Sequence, residues 1–171
     1  MLDPQTESAI RARIKDAPFA RWMGMELVSI GDGSAEFRLR MEPHHRNPGG
    51  IAHGGVIASM LDAAIGLALR SKMGTGSTHV TVQLQVNYLK PIREGAMTAR
   101  GAAVYSGSRM GYGEGTLLDE DGAVLARANA TFLVVSSSPP EVWADGKRGA
   151  RGPDAAEPDS PLGEGDADRR A

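Results

Sequence analysis

The sequence predicts an α+β domain in which a curled antiparallel sheet wraps around one long, buried helix. The first observation is the apolar run GGVIASMLDAAIGLAL at residues 54–69, where Asp62 is the single charged residue. A helix that is apolar on every side belongs in a protein core, so other elements must cover it. The second observation is a series of strand-like segments joined by tight turns, which is typical of antiparallel sheets. Together these patterns favour two layers, with the helix against the sheet.

Each element follows from its local pattern. Residues 1–24 are expected to form a helical lead-in, and Gly31-Asp32-Gly33 is a strong hairpin turn. The predicted elements, in chain order, are a helix at 6–15, a helical turn at 18–22, strands at 25–30 and 34–41, a loop at 42–52, the central helix at 54–73, and strands at 78–89, 96–106, 111–118 and 123–135.

The segment 78–89 has the clearest strand pattern in the chain. Apolar residues at 80, 82, 84, 86 and 88 alternate with polar, uncharged residues at 81, 83, 85 and 87. The apolar set predicts one aliphatic face, and the polar set is more typical of an interface or a cleft than of open solvent. A sheet wrapped on one helix leaves edge strands open, so pairing with another copy of the chain is expected.

Residues 1–136 are expected to form one domain, and residues 137–171 a disordered C-terminal tail. The tail is rich in proline, glycine and mixed charge, and poor in aliphatic residues. Such a segment cannot bury enough apolar surface to offset the entropy lost on ordering. Val142 and Trp143 are the one hint of a docking motif there.

Composition excludes several classes of function. The net charge of −2 points to neither nucleic acid nor an anionic membrane. The chain has no cysteine, so it has no disulfide framework, thiol nucleophile or thiolate metal site. The charged N-terminus does not resemble a signal peptide, and the apolar run at 54–69 is short for a membrane span and carries an acid. A cytoplasmic protein is expected.

Asp62 is the strongest candidate for a functional residue. A carboxylate in an apolar helix must be neutralised, hydrogen-bonded or used, and burial should raise its pKa and make it a better proton acceptor near neutral pH. The loop from Asn47 to Gly55 precedes the helix and could offer unpaired backbone amides. An acid beside such amides is an arrangement suited to attack on a carbonyl. The alternative is a structural acid paired with an arginine, an asparagine or a helix end of another subunit.

The histidines allow more than one interpretation. His53 stands at the helix start, where a structural capping role is favoured over catalysis. His44 and His45 are expected in an exposed loop. A zinc site from these three histidines and Asp62 is conceivable by ligand type, but the spacing matches no local metal motif, and we predict no metal. The glycine-rich loop lacks the lysine of a phosphate-binding loop.

These motifs together resemble the hotdog-fold thioesterases of the PaaI-like branch, named for the phenylacetic-acid pathway. The resemblance covers roughly residues 20–136. It is carried by Asn47, Gly50, His53-Gly54-Gly55, Leu61-Asp62-Ala63, the strand Val80-Thr81-Val82-Gln83-Leu84-Gln85-Val86-Asn87-Tyr88-Leu89-Lys90-Pro91, and Asp119-Glu120-Asp121-Gly122.

The resemblance implies an acyl-CoA substrate and a role for four residues. Asp62 would attack the thioester or activate water, the Gly54 amide would polarise the carbonyl, Asn47 would hold the carbonyl or the water, and the Thr81 hydroxyl would orient the water. Asn47 and Gly54 would come from one subunit and Asp62 from its partner. The assembly would be a homodimer, with a homotetramer favoured.

The resemblance also suggests residues that bind the substrate. These are His53, Gly55, Lys90, Arg93, Ser108 and Arg109, the cations serving the phosphates of CoA. For each cation a solvated charge at a strand end is an equally good interpretation. No cofactor is expected.

Two other functions stay open at this point. A hotdog hydratase would carry an Asp-x-Asn-Pro-x-His run, but His45 stands where the aspartate is needed and His53 is too far along. A non-catalytic acyl-CoA sensor or carrier would keep the pocket without a competent acid, and Asp62 speaks against it. The acyl group itself is not fixed by the motif: aryl and medium-chain thioesters both fit.

Overall fold

A computed structural model of the protein describes residues 3–73 and 77–136 and confirms the α+β hotdog architecture. A six-stranded antiparallel sheet, in the order β1-β2-β4-β5-β6-β3, packs with all its strands against one long helix. The elements are α1 Pro4–Asp16, α2 Pro18–Trp22, β1 Glu26–Gly31, β2 Ser34–Arg40, a 3₁₀ turn Pro43–His45, α3 Gly54–Arg70, β3 Ser77–Tyr88, β4 Ala96–Ser106, β5 Met110–Leu118 and β6 Val124–Ser136.

The strand bounds agree with the predicted ones to within one residue, but the predicted end of the central helix was wrong. The helix α3 ends at Arg70 instead of residue 73. Ser71 explains the early end, since its Oγ donates to Gly31 O at 2.6 Å and accepts from Gly33 N at 2.8 Å. These bonds attach the end of α3 to the β1–β2 turn.

The core is the contact between α3 and the inner face of the sheet. Ten residues of α3 are buried, among them Met60, Leu61 and Ile65, which are fully shielded from solvent. Three glycines of β4 and β5 allow the close approach: a Cβ on Gly101 would overlap the main chain of Ala64, and one on Gly113 or Gly115 would stand 2.6 Å or 3.0 Å from Ile65. The helix therefore sits directly on the sheet backbone.

A bulge in β3 overturns the prediction of one continuous aliphatic face. The register with β6 shifts between Thr81 and Gln83. Val80 and Val82 are consequently exposed, at 50% and 61%, whereas Leu84 and Val86 pack against the core. An extra residue in one strand reverses which side chains face inward. Here it turns Thr81, a member of the predicted polar face, toward α3.

Two further expectations concern the C-terminal segment and membrane-spanning helices. The predicted disorder of residues 137–171 lies outside the described residues. Among the helices that the structure describes, none combines the length and apolar character needed to cross a bilayer.

Candidate active site

Asp62 lies in the middle of α3, on the side that faces β3. Thr81 Oγ1 donates to Asp62 Oδ1 at 2.9 Å. Burial raises the pKa of the Asp62 carboxyl, and the hydrogen bond from Thr81 opposes part of that rise. Within residues 3–73 and 77–136 Asp62 forms no ion pair. The acid is thus not neutralised by a cation of the described chain, and one of its oxygens remains open to a ligand.

Asp62 opens into a cleft between α1, α3 and β3, which we call the carboxylate cleft. Its volume is about 600 Å³. Its walls are mostly apolar, and polar groups are concentrated along the α3–β3 side. The lining residues are Thr6, Ala9, Ile10, Arg13, Ile14, Phe37, Asp62, Ala63, Gly66, Leu67, Arg70, Thr78, His79, Val80, Thr81 and Phe132.

A second cleft lies at the start of α3, and we call it the amide cleft. Its volume is about 350 Å³ and it is lined by Asn47, Ile51, Ala52, Gly54, Ile57, Tyr88, Leu89, Lys90, Pro91 and Ile92. Gly54 is the first residue of α3, and its N–H has no hydrogen-bond partner among the described residues. Tyr88 packs over this glycine and donates its hydroxyl to Gly54 O at 3.1 Å.

Asn47 holds the loop of the amide cleft in shape. Its Oδ1 accepts from Gly49 N at 2.9 Å and from Ile51 N at 3.4 Å. With the oxygen committed, the Asn47 side chain has only its Nδ2 amide hydrogens left to offer a ligand. Arg93 Nη1 strengthens the same loop by donating to Gly49 O at 3.3 Å. The cleft therefore presents hydrogen-bond donors, Gly54 N–H and Asn47 Nδ2, and can accommodate a developing negative charge.

His53 is the N-cap of α3. Its Nδ1 accepts from Gly55 N at 2.9 Å, and its own N–H donates to His45 O at 2.8 Å. The Gly55 amide is therefore already in use, which corrects the expectation of a row of free amides: of the two glycines, only Gly54 keeps its N–H available.

The two clefts of one protomer cannot act on the same bond. Gly54 and Asp62 are eight residues apart on one helix, which corresponds to about 12 Å along its axis. A carbonyl under attack needs its acid and its oxyanion donors within hydrogen-bond reach, about 3 Å. The four residues implied to be catalytic are thus brought together in pairs, Asp62 with Thr81 and Asn47 with Gly54.

The candidate substrate-binding cations are also divided. Lys90 lines the amide cleft, and Arg93 holds its loop. Ser108 and Arg109 lie in the exposed β4–β5 turn. There Arg109 O accepts from Val134 N, at the end of β6 that pairs with the start of β3. Lys90 lies just beyond the other end of β3, so one chain does not bring the four residues together.

One predicted histidine position is wrong. His44 is exposed as expected, but His45 is buried, with 1% of its surface accessible. Its Nδ1 accepts from Glu42 N at 3.0 Å, and burial is the main cause that lowers the pKa of its imidazole. The reason is the 3₁₀ turn at Pro43–His45, which rotates successive side chains by about 120° about its axis, so that His45 faces inward while His44 stays exposed.

His79 is the residue that the sequence did not reveal. It precedes Thr81 by two positions on β3 and lines the carboxylate cleft beside Gly66. Burial and the charge of Arg70 lower the pKa of the His79 imidazole, which favours the neutral form of the ring. The sequence holds one hint: His79 and Thr81 are two residues apart, so their side chains point to the same face of β3. To use this hint, one would have to know that a bulge turns that face inward.

Comparison with known proteins agrees with this geometry. A family model described as the thioesterase superfamily matches residues 49–126. This range includes Gly54, Asp62 and Thr81, whereas Asn47 precedes it. The medium/long-chain acyl-CoA thioesterase YigI of Salmonella typhimurium is 31% identical over 135 residues, covering 68% of this chain and 85% of that protein.

Solved structures have a similar fold. A conserved protein of Pseudomonas aeruginosa has a TM-score of 0.68 and 31% identity, with 72% of this chain and 98% of the other covered. The PaaI protein of the Escherichia coli phenylacetic acid degradation operon has a TM-score of 0.72, covering 79% and 96% of the two chains. Its identity is 18%, so that likeness concerns the fold.

Proposed function

The chain belongs to the thioesterase superfamily of hotdog-fold hydrolases, and on that premise we propose that it hydrolyses acyl-CoA thioesters at a site shared by two copies of the chain. The proposal rests on one observation: each protomer holds the acid and the oxyanion donors in two separate clefts. Within the described residues, the carboxylate cleft holds an acid that forms no ion pair and accepts a hydrogen bond from the Thr81 hydroxyl, and the amide cleft holds two donors without a partner. Neither half suffices alone.

Antiparallel pairing of two β3 strands would join the halves. β3 is an edge of the sheet and pairs only with β6 in the described chain. An edge strand can add a second copy, and a two-fold axis would place Asp62 of one protomer near Gly54 of the other. The same operation brings Lys90 of one copy toward Arg109 of the second, since these residues lie at opposite ends of β3. A cationic rim for the phosphates of CoA would result.

The reaction proceeds in this site by attack of water. Asp62 takes a proton from the water through the oxygen that Thr81 leaves open, while the water oxygen bonds to the thioester carbon. The carbonyl oxygen becomes an oxyanion held by Gly54 N–H and Asn47 Nδ2 of the second copy. The C–S bond then breaks, CoA leaves as a thiolate that takes up the proton, and the free acid remains.

The apolar walls of the carboxylate cleft suit the acyl group. Ile10, Ile14, Phe37 and Phe132 offer a non-polar surface beside Asp62, in a volume of about 600 Å³. We therefore extend to this chain the acyl-CoA substrate in the name of its YigI relative, with aryl and medium-chain acyl groups as the range. The assembly proposed is a homodimer or a pair of homodimers.

A panel of acyl-CoA esters, with release of the free thiol as the signal, tests this function on the wild type and Asp62→Asn together. Loss of the base should lower kcat by ~10²–10⁴. Ser59→Ala is the matched control: among the described residues the Ser59 hydroxyl bonds only to Gly55 O of its own helix, at 2.8 Å, so its loss should leave hydrolysis nearly unchanged. Equal turnover by Asp62→Asn and wild type would overturn the assignment.

Unfolding in urea separates chemistry from stability. Because burial raises the pKa of Asp62, its ionised form destabilises the folded state at pH values above the ordinary range of the carboxyl. Asp62→Asn should therefore unfold at the same or a higher urea concentration than wild type at neutral pH, and this advantage should disappear in acid. An unstable variant at neutral pH would contradict the burial that supports the role.

A further inference from the structure

His79 is a polar side chain in the reaction cleft that the proposed mechanism does not use. Its imidazole meets the ring of Phe132 edge-on, with 4.9 Å between centroids and 82° between planes. A Cβ on Gly66 would stand 2.9 Å from His79 Nε2 and 3.3 Å from the Phe132 ring, so glycine at this position leaves room for both rings. The ring is thus positioned by its packing, not by hydrogen bonds.

Neither nitrogen of His79 has a hydrogen-bond partner in the described chain. Nδ1 is shielded from solvent, whereas Nε2 is not among the shielded, unpaired atoms and faces the cleft. A shielded N–H without a partner is more costly than a shielded lone pair. The neutral ring therefore carries its proton on Nε2, and it offers the cleft a donor.

The position of His79 relative to the acid sets where a ligand atom would meet it. Along β3, His79 is two residues from Thr81, and along α3, Gly66 is four residues from Asp62. Both spacings correspond to roughly 6 to 7 Å. An acyl group whose thioester carbon is at Asp62 would reach His79 with an atom about 6 to 7 Å further along.

We propose that His79 is a specificity residue that donates a hydrogen bond to an oxygen acceptor carried by the acyl group, several bonds beyond the thioester. The inference rests on the proposed function, and it narrows the substrate class from purely hydrocarbon acyl groups to oxygenated ones. The positive charge of Arg70, close enough to act on the His79 ring, adds to the preference for an electron-rich atom at this end of the cleft. The apolar walls between Asp62 and His79 accept the hydrocarbon part.

The test compares two CoA esters of equal size, ω-hydroxyhexanoyl-CoA and heptanoyl-CoA, in which a methyl group replaces the hydroxyl. The wild type should favour the hydroxylated ester by about tenfold in kcat/KM, the effect of one hydrogen bond whose loss leaves a donor unpaired. His79→Phe should remove that preference, by lowering kcat/KM for the hydroxylated ester relative to that for heptanoyl-CoA. His79→Gln retains an N–H donor and should keep part of the preference.

The remaining outcomes are equally decisive. Equal kcat/KM for the two esters in the wild type, or an equal loss for both in His79→Phe, would overturn the specificity role while leaving the thioesterase function standing. If neither ester nor any other in the panel is hydrolysed, the proposed function fails instead. Calorimetric titration of the two esters then still decides the role of His79, because equal Kd values for them would overturn it.

Discussion

The carboxylate cleft and the amide cleft differ in what holds their functional groups in place. Asp62 comes from the middle of a helix whose backbone is fixed by packing against the core, and Thr81 comes from a strand whose backbone is fixed by pairing with β6. Asn47 and Gly54 come from a loop and a helix start, where hydrogen bonds fix the backbone through Asn47 Oδ1 and the N-cap His53. The proton acceptor therefore depends on burial, and the oxyanion donors depend on backbone geometry. Substitutions should affect the two halves in different ways.

The largest effect expected from the amide cleft is that of Gly54→Pro, which removes one N–H and little else. Proline is accepted at the first residue of a helix, and His53, with φ −63° and ψ 136°, already has the conformation that precedes a proline. Removing an oxyanion donor should lower kcat by ~10²–10³. Steady-state kinetics would show this loss.

Gly54→Ala is the control for that variant, because it keeps the N–H and its Cβ would meet Tyr88 at an ordinary 3.4 Å. It should retain most of the wild-type kcat. If both variants lose activity equally, the cause is crowding beside Tyr88, and the Gly54 amide is not a donor to the oxyanion.

A smaller effect, a gain of about 50-fold or more over the homodimers, is expected from restoring a shared site. Asp62→Asn and Gly54→Pro each disable a different half, so a purified heterodimer of the two should contain one intact site and one doubly defective site. Its activity should rise from that of either homodimer to about half of the wild-type value, as two-fold symmetry requires. Thiol release by the two homodimers and the differently tagged heterodimer measures this. Activity that stays at the homodimer level would mean that each protomer works alone.

The smallest effect concerns the pH profile. Asp62 must be ionised to accept a proton, so kcat should fall as the pH drops through its raised pKa, above the ordinary value of 3.8. Thr81→Val removes the hydrogen bond that lowers this pKa. The acid limb of the variant should therefore move to higher pH. A limb that stays in place or moves to lower pH would mean that another group controls it.

The sequence was informative where a residue conflicts with its surroundings. Asp62 in an apolar helix and the glycines before it are such conflicts, and they sufficed to predict the central helix, the strand order along the chain and the resemblance. Which β3 side chains point inward could not be predicted, because the bulge at Thr81 arises from pairing with β6, more than 40 residues away. His79 was missed for the same reason. The burial of His45 likewise depends on a short turn whose pattern is not periodic.

The glycine contacts between the sheet and α3 have a consequence for how activity can change. Because Gly101 lets the α3 backbone at Ala64 lie against β4, and Gly113 leaves room for the Ile65 side chain against β5, sliding or rotating the helix would create steric clashes. The interval between Gly54 and Asp62 is accordingly constant in each protomer. In the proposed dimer the width of the reaction gap is then set by subunit alignment alone, and substitutions along the outer edge of β3 should tune turnover from a distance.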